Sequence, residues 1–209
     1  PEKVPQIFVP YKEVLEVYDA GLEVPDYVTL VWCDDNYGYI RRLSDKKEQQ
    51  RGGRSGIYYH ISYWGRPHDY LWLAVTSPAL IYTEMKRAYG QGADRLWILN
   101  VGDLKPGEYL TEFFLDMAWD IRLCDKEASV FTHLERWAER EFGKKNAAAI
   151  TQVMKEYYRL GAIRKPEFMG WSRVEEPGYG RGGITPVRDT EYNPDLIMNC
   201  NAESMIIGQ

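Results

Sequence analysis

Four short stretches hold the side chains that could do chemistry: Tyr11-Lys12-Glu13, Asp34-Asp35-Asn36, His60 with Tyr63, and Asn100 with Asp103. Carboxylates can give and take protons, while amides, imidazoles and phenols can hold hydroxyl groups. Each stretch falls at or just past the end of an apolar run. Asp and Asn also close turns and cap helices, and Asp35 and Asp103 are read in that role. Glu13, Asp34 and His60 are read as functional.

The run Val28 to Cys33 is apolar almost without interruption and ends in Asp34-Asp35-Asn36. Such a run reads as a strand buried on both faces, as in a parallel sheet. Strands of parallel sheets present functional groups where their carboxyl ends meet the next loop. Three further strands are expected: Gln6 to Val9, Ile57 to Ser62, and Leu96 to Val101. A helix is expected from Tyr11 to Gly21. After Asp34-Asp35-Asn36 comes a helical or irregular polar segment that carries Arg41 and Arg42 and runs to about Gln50. The Gly-rich break Arg51 to Gly56 follows, with Arg51 and Arg54 in a mobile, solvated loop. Ser77 is a plausible N-cap with Pro78 in the first helical position, and Gly90 and Gly92 stop that helix. A loop from Gly102 to Gly107 enters another helix. In a barrel, all four polar stretches would converge on one face.

Strands alternating with helices imply βαβ units and an α/β fold. Four units make half of a (β/α)8 barrel. Unpaired strand edges are avoided in native proteins, so residues 1–125 are expected to be the C-terminal half of a TIM-like barrel cut from a longer chain. A complete four-stranded α/β domain is the alternative. Residues 126–209 are expected to be a helical region. It has two amphipathic helices, joined through Gly143 to Asn146 as an antiparallel pair, and a long irregular C-terminal segment.

Composition excludes several classes. A net charge of −5 gives no reason to expect nucleic acid or an anionic membrane as partner. Cys33, Cys124 and Cys200 show no CxxC spacing, and His60, His68 and His133 are scattered, so neither a disulfide framework nor a metal site is indicated. Gly178 to Gly183 lacks the strand and the Lys-Ser/Thr of a phosphate loop. The 7 Trp and 16 Tyr are more informative. Clusters at Tyr58-Tyr59-His60, Tyr63-Trp64 and Asp69-Tyr70-Leu71-Trp72 place flat faces near strand ends, where they can stack on sugar rings or bases. The chain opens on Pro1-Glu2-Lys3 without methionine, so its true N-terminus is expected elsewhere and an export signal could have been removed.

Carboxylates beside amides and aromatic faces suit glycoside hydrolysis, in which one acid protonates the leaving oxygen and a second carboxylate activates water or attacks. An acidic sugar would also need a cationic or donor-rich partner. Lys12, Arg41, His60 and Arg66 are available.

The segments VWCDDNYGYIRRLS and SGIYYHISYWGRPHDYLWL, with the later LWILNVGDLKPGEYLTEFFLDMAWD and RKPEFMGW, closely resemble glycoside hydrolase family 115. The resemblance covers most of the chain. It implies an α-glucuronidase that removes glucuronic acid or 4-O-methylglucuronic acid from xylan side chains with inversion, without metal or organic cofactor. It implies a multidomain parent, secreted or periplasmic. The partners are a xylan-derived oligosaccharide or polysaccharide and the rest of the parent chain, with a homodimer left open. The catalytic glutamate of the family falls on Glu13. Its uronic-acid pocket falls on Asp34, Asn36, His60, Tyr63 and Asn100. A further acidic residue of the family belongs to barrel loops that this chain lacks, so the fragment alone is expected to be inactive. The contrasting expectations are a non-catalytic carbohydrate-binding protein and an unrelated barrel enzyme acting on a phosphorylated metabolite. The absence of a Gly-rich phosphate loop speaks against the last.

Overall fold

The computed structural model describes residues 4–35, 37–63 and 73–163. Its elements run β1 (Ile7–Phe8), α1 (Glu13–Asp19), β2 (Thr29–Cys33), β3 (Ser55–His60), α2 (Pro78–Gly90), β4 (Trp97–Asn100), α3 (Leu104–Trp119), α4 (Glu127–Phe142) and α5 (Lys144–Ile163). The four strands form one sheet in sequential order, and every pair is parallel. The expected α/β class with a parallel sheet is therefore present.

Register sorts the strand side chains by face. Trp32 pairs with Ile57 and Ile57 with Trp97. Leu30, Trp32, Ile57 and Tyr59 are buried in one core with Ile81 and Met85 of α2 and Phe113, Phe114 and Met117 of α3. Burying each large apolar side chain there contributes about 1.5–3 kcal/mol. Strand alternation puts Cys33, Tyr58, His60, Ile98 and Asn100 on the opposite face. Cys33 pairs with Tyr58, Tyr58 with Ile98, and His60 with Asn100. The core continues through Val130, Leu134 and Trp137 of α4 to Ala147 and Tyr158 of α5.

Helix α2 starts as its sequence signals. Ser77 is the N-cap, its hydroxyl accepts from the Ala79 amide at 3.3 Å, and Pro78 opens the helix.

The β2–β3 crossover takes the irregular form that the sequence left open, and other details differ from the sequence expectation. No α-helix carries Arg41 and Arg42. The crossover from β2 to β3 has only a 3-10 turn at Glu48–Gln50 and is held by side chains instead. Trp32 Nε1 donates to Ser44 at 2.9 Å, and Arg42 donates to both Glu48 carboxylate oxygens at 2.8 and 2.7 Å while lying over the Trp32 ring.

Arg51 is not in a solvated loop, since its guanidinium donates to the carbonyls of Val24, Pro25 and Val28 at 3.2, 2.6 and 3.3 Å. Arg54 pairs with Asp94, and β3 already begins at Ser55. Helix α3 begins at Leu104 rather than after Gly107, because Pro106 is tolerated in a first turn. Gly107 lies in that turn, where a Cβ would stand 3.2 Å from Val101. The hairpin between α4 and α5 narrows to Gly143 alone, at φ 82°.

Expectations on Asn36, Arg66, His68, Cys200 and the irregular C-terminal segment lie outside the described residues.

Candidate active site

The carboxyl ends of β1, β2 and β3 bring Tyr11, Lys12, Asp34, His60 and Tyr63 together, with Asn100 of β4 beside His60. Asp34 and His60 form its buried centre, at 3% and 4% exposure. One oxygen of Asp34 accepts from the His60 backbone amide at 3.0 Å and lies 2.6 Å from His60 Nδ1. An ionised carboxylate can only accept, so the Nδ1 proton points at Asp34. In the neutral ring, Nε2 is then the acceptor. The pair therefore fixes both the tautomer and the plane of the imidazole.

Aromatic rings surround that imidazole. Tyr11 stacks on it at 5.8 Å between ring centres, Tyr58 tilts against it at 4.8 Å, and Tyr63 meets it edge-on at 5.8 Å. Burial, a hydrogen bond with Tyr63 and the Asp34 charge push the Tyr11 phenol above its ordinary range. Cys33 is pushed up to about 12, by burial first and by Asp34 second. Both groups stay protonated around neutral pH.

Lys12 supplies the cation. Its ammonium donates to the Tyr63 hydroxyl and lies 5.2 and 5.1 Å from the centres of the Tyr11 and Tyr63 rings. Among the described residues it pairs with no carboxylate. Its backbone has φ 52° and ψ −124°, a region that a side chain with a Cβ adopts only at a cost of about 1–3 kcal/mol. Strain of this kind collects where a side chain must be aimed. Arg41 is committed differently, to Asp35 at 2.6 Å.

Asn100 is oriented at both ends of its amide. Ser62 donates to its oxygen at 3.0 Å, and its nitrogen donates to the Tyr58 hydroxyl at 3.0 Å. One N–H and one lone pair remain for another partner.

The cleft beside this centre measures about 260 Å³ and is lined by Tyr11, Lys12, Cys33, Asp34, Arg41 and Arg42. A hollow of about 870 Å³ opens elsewhere, near Arg95, Trp97 and Trp119. It lies at the amino end of β4, whereas parallel α/β sheets bind ligands at carboxyl ends. The smaller cleft is the candidate.

The structure brings Asp34, His60, Tyr63 and Asn100 together. Glu13 is exposed in the first turn of α1, one residue after Lys12, and like His60, Tyr63 and Asn100 it is not among the residues lining the cleft. A carboxylate is favourable there against the helix dipole. Asp35 has the expected turn role, with one oxygen accepting from the amides of Tyr37 and Tyr39 at 3.1 Å each. Asp103 occupies the N-cap position of α3 without a side-chain cap bond.

Tyr58 belongs to the site although its sequence cluster suggested only a stacking face. Its position two residues before His60 on a strand was the available signal.

A second His–carboxylate group lies on the helices. His133 Nε2 is 2.9 Å from Asp116, and Glu112 is close by. Arg140 already grips Glu112 with two bonds of 2.8 and 2.5 Å, so that carboxylate is neutralised without a metal.

Polar groups at the carboxyl ends of a parallel sheet place the chain with α/β proteins that bind ligands on that face. Comparison makes this more specific. A sequence profile for glycosyl hydrolase family 115 matches residues 1–168. Eleven solved chains match. One is a family GH115 4-O-methyl-alpha-glucuronidase with specificity for decorated arabinogalactans, 51% identical, with a TM-score of 0.78 over 98% of this chain. The chain spans 27% of that structure's length. No curated protein sequence matches it. The chain belongs to glycosyl hydrolase family 115, as its CDDN and YYHISY segments suggested.

Proposed function

We propose that this chain is the uronic-acid-holding part of an inverting α-glucuronidase that removes glucuronic acid or 4-O-methylglucuronic acid from xylan side chains. Residues 1–125 are then the C-terminal half of a TIM-like barrel, and residues 126–209 the helical region that follows. The observation that carries the reading is Lys12: a cation without a carboxylate partner among the described residues, on strained backbone, beside Asp34, His60 and two tyrosines. A uronate carboxylate is the complement of that cation. Asp34, Asn36, His60, Tyr63 and Asn100 hold the sugar hydroxyls.

Glu13 is the catalytic carboxylate on this reading. Its partner carboxylate comes from elsewhere in the parent, at roughly 6.5–9.5 Å, leaving room for the attacking water. The isolated 209 residues are then inactive. The parent acts outside the cytoplasm, where xylan is found.

The exposure of Glu13 favours a second reading, a carbohydrate-binding protein without turnover. Incubating the full-length protein with glucuronoxylan and, separately, with uronic-acid-decorated arabinogalactan decides between them. Release of a uronic acid from glucuronoxylan is expected. Saturable binding without release supports the second reading, and release from arabinogalactan alone removes xylan as the substrate.

A further inference from the structure

Helix α2 turns a carboxylate inward, where the rest of its buried face is largely apolar. Glu84 is 7% exposed, beside Ile81, Met85 and Ala88. Burying a charge costs free energy unless hydrogen bonds satisfy it. Glu84 Oε2 accepts from the backbone amide of Ile40 at 2.8 Å and from Arg87 Nη2 at 2.5 Å. Arg87 also donates to the Ile40 carbonyl. The N–H and C=O of one loop residue are thus both gripped by α2.

Ile40 ends the turn that starts at the site. Asp34 leads into it. Asp35 closes it, its amide donating to the Tyr39 carbonyl at 2.9 Å and its side chain accepting from the Tyr37 and Tyr39 amides. The Tyr59 hydroxyl fastens the middle by donating to the Gly38 carbonyl at 2.8 Å. Among the described residues, only the 3-10 turn at Glu48–Gln50 lies between β2 and β3, and the turn relies on these ties.

We infer that Glu84 and Arg87 are positioning residues: they hold the Tyr37–Ile40 segment on α2 and, through its ties to Asp35, keep Asp34 aligned with His60. This rests on the glucuronidase reading above for its kinetic consequence. An apolar residue at position 84 would pack the helix more cheaply but leave a buried amide unpaired. Placing a carboxylate and a guanidinium there fixes geometry.

The test uses the full-length protein with Glu84→Gln and, because Arg87 is 40% exposed on its side chain and tolerates exchange, Arg87→Lys. Hydrogen exchange of peptide 37–42 should quicken about tenfold in both variants, with peptides of β2 and β3 unchanged. For glucuronoxylan, KM should rise several-fold while kcat falls less. A general rise in exchange across the strands, or a loosened turn with unaltered KM, overturns the inference. The two readings fail differently. A wild-type protein that releases no uronic acid removes the glucuronidase reading, whereas unchanged exchange at 37–42 in Glu84→Gln removes the clamp.

Discussion

Asp34 takes two hydrogen bonds from one residue, accepting from both the backbone amide and the Nδ1 side of His60 on a single oxygen. Losing the carboxylate frees the imidazole to rotate or change tautomer. Asp34→Asn should lower kcat/KM for uronic-acid release by about 10- to 100-fold, the worth of a hydrogen bond to a charged group. Near-normal kinetics would reduce Asp34 to a structural ligand of the β3 backbone.

The same carboxylate bears on Cys33. Its thiol is held up to about 12 instead of the ordinary 9, by burial first and Asp34 second. A raised acid stabilises the fold fully below pH 9, and the contribution is lost as pH rises from 9 towards 12. At pH 9, iodoacetamide should therefore alkylate Cys33 in the native protein about tenfold or more slowly than in the unfolded chain. Asp34→Asn removes the neighbouring negative charge and should speed the native reaction. Mass spectrometry of the labelled peptide reads both rates.

Lys12 should separate stability from activity. Lys12→Gly relieves a backbone at φ 52° and should raise stability by about 1 kcal/mol in a urea titration. Both Lys12→Gly and Lys12→Met should cost about 10- to 100-fold in kcat/KM on uronic-acid substrates, the worth of a hydrogen bond to a charged group. A Lys12→Met protein with wild-type KM would show that the cation serves the fold and not the sugar.

Much of this arrangement was legible in the sequence, and the reasons are specific. The unbroken apolar run before Asp34 marks a two-faced buried strand, and the Ser77-Pro78 pair marks a helix start. The bracing of the β2–β3 crossover was not legible, because it is a set of side-chain ties: Trp32 to Ser44, Arg42 to Glu48, Glu84 to Ile40. Periodicity carries no trace of them. Asp34 and His60 could each be picked out as polar groups at strand ends. Their bond depends on how the β2 and β3 tips meet in space, and no local pattern encodes that.

Gly38 tests the turn from the other side. It has φ 96°, and an added Cβ would stand 2.7 Å from the Tyr59 hydroxyl and 2.9 Å from Leu80 Cδ2. Gly38→Ala should destabilise the protein by about 1–3 kcal/mol. Urea unfolding checks it, and an unshifted midpoint would mean the turn moves without cost.

On the proposed function, these strand ends hold a uronic acid for an inverting hydrolysis in which Glu13 takes part. Proton NMR of the full-length protein acting on glucuronoxylan, with Glu13→Gln alongside, tests it most directly. Uronic acid should appear first as the β anomer, opposite to the α linkage, and Glu13→Gln should nearly abolish release. First appearance of the α anomer, or near-normal release by Glu13→Gln, would contradict the proposed function.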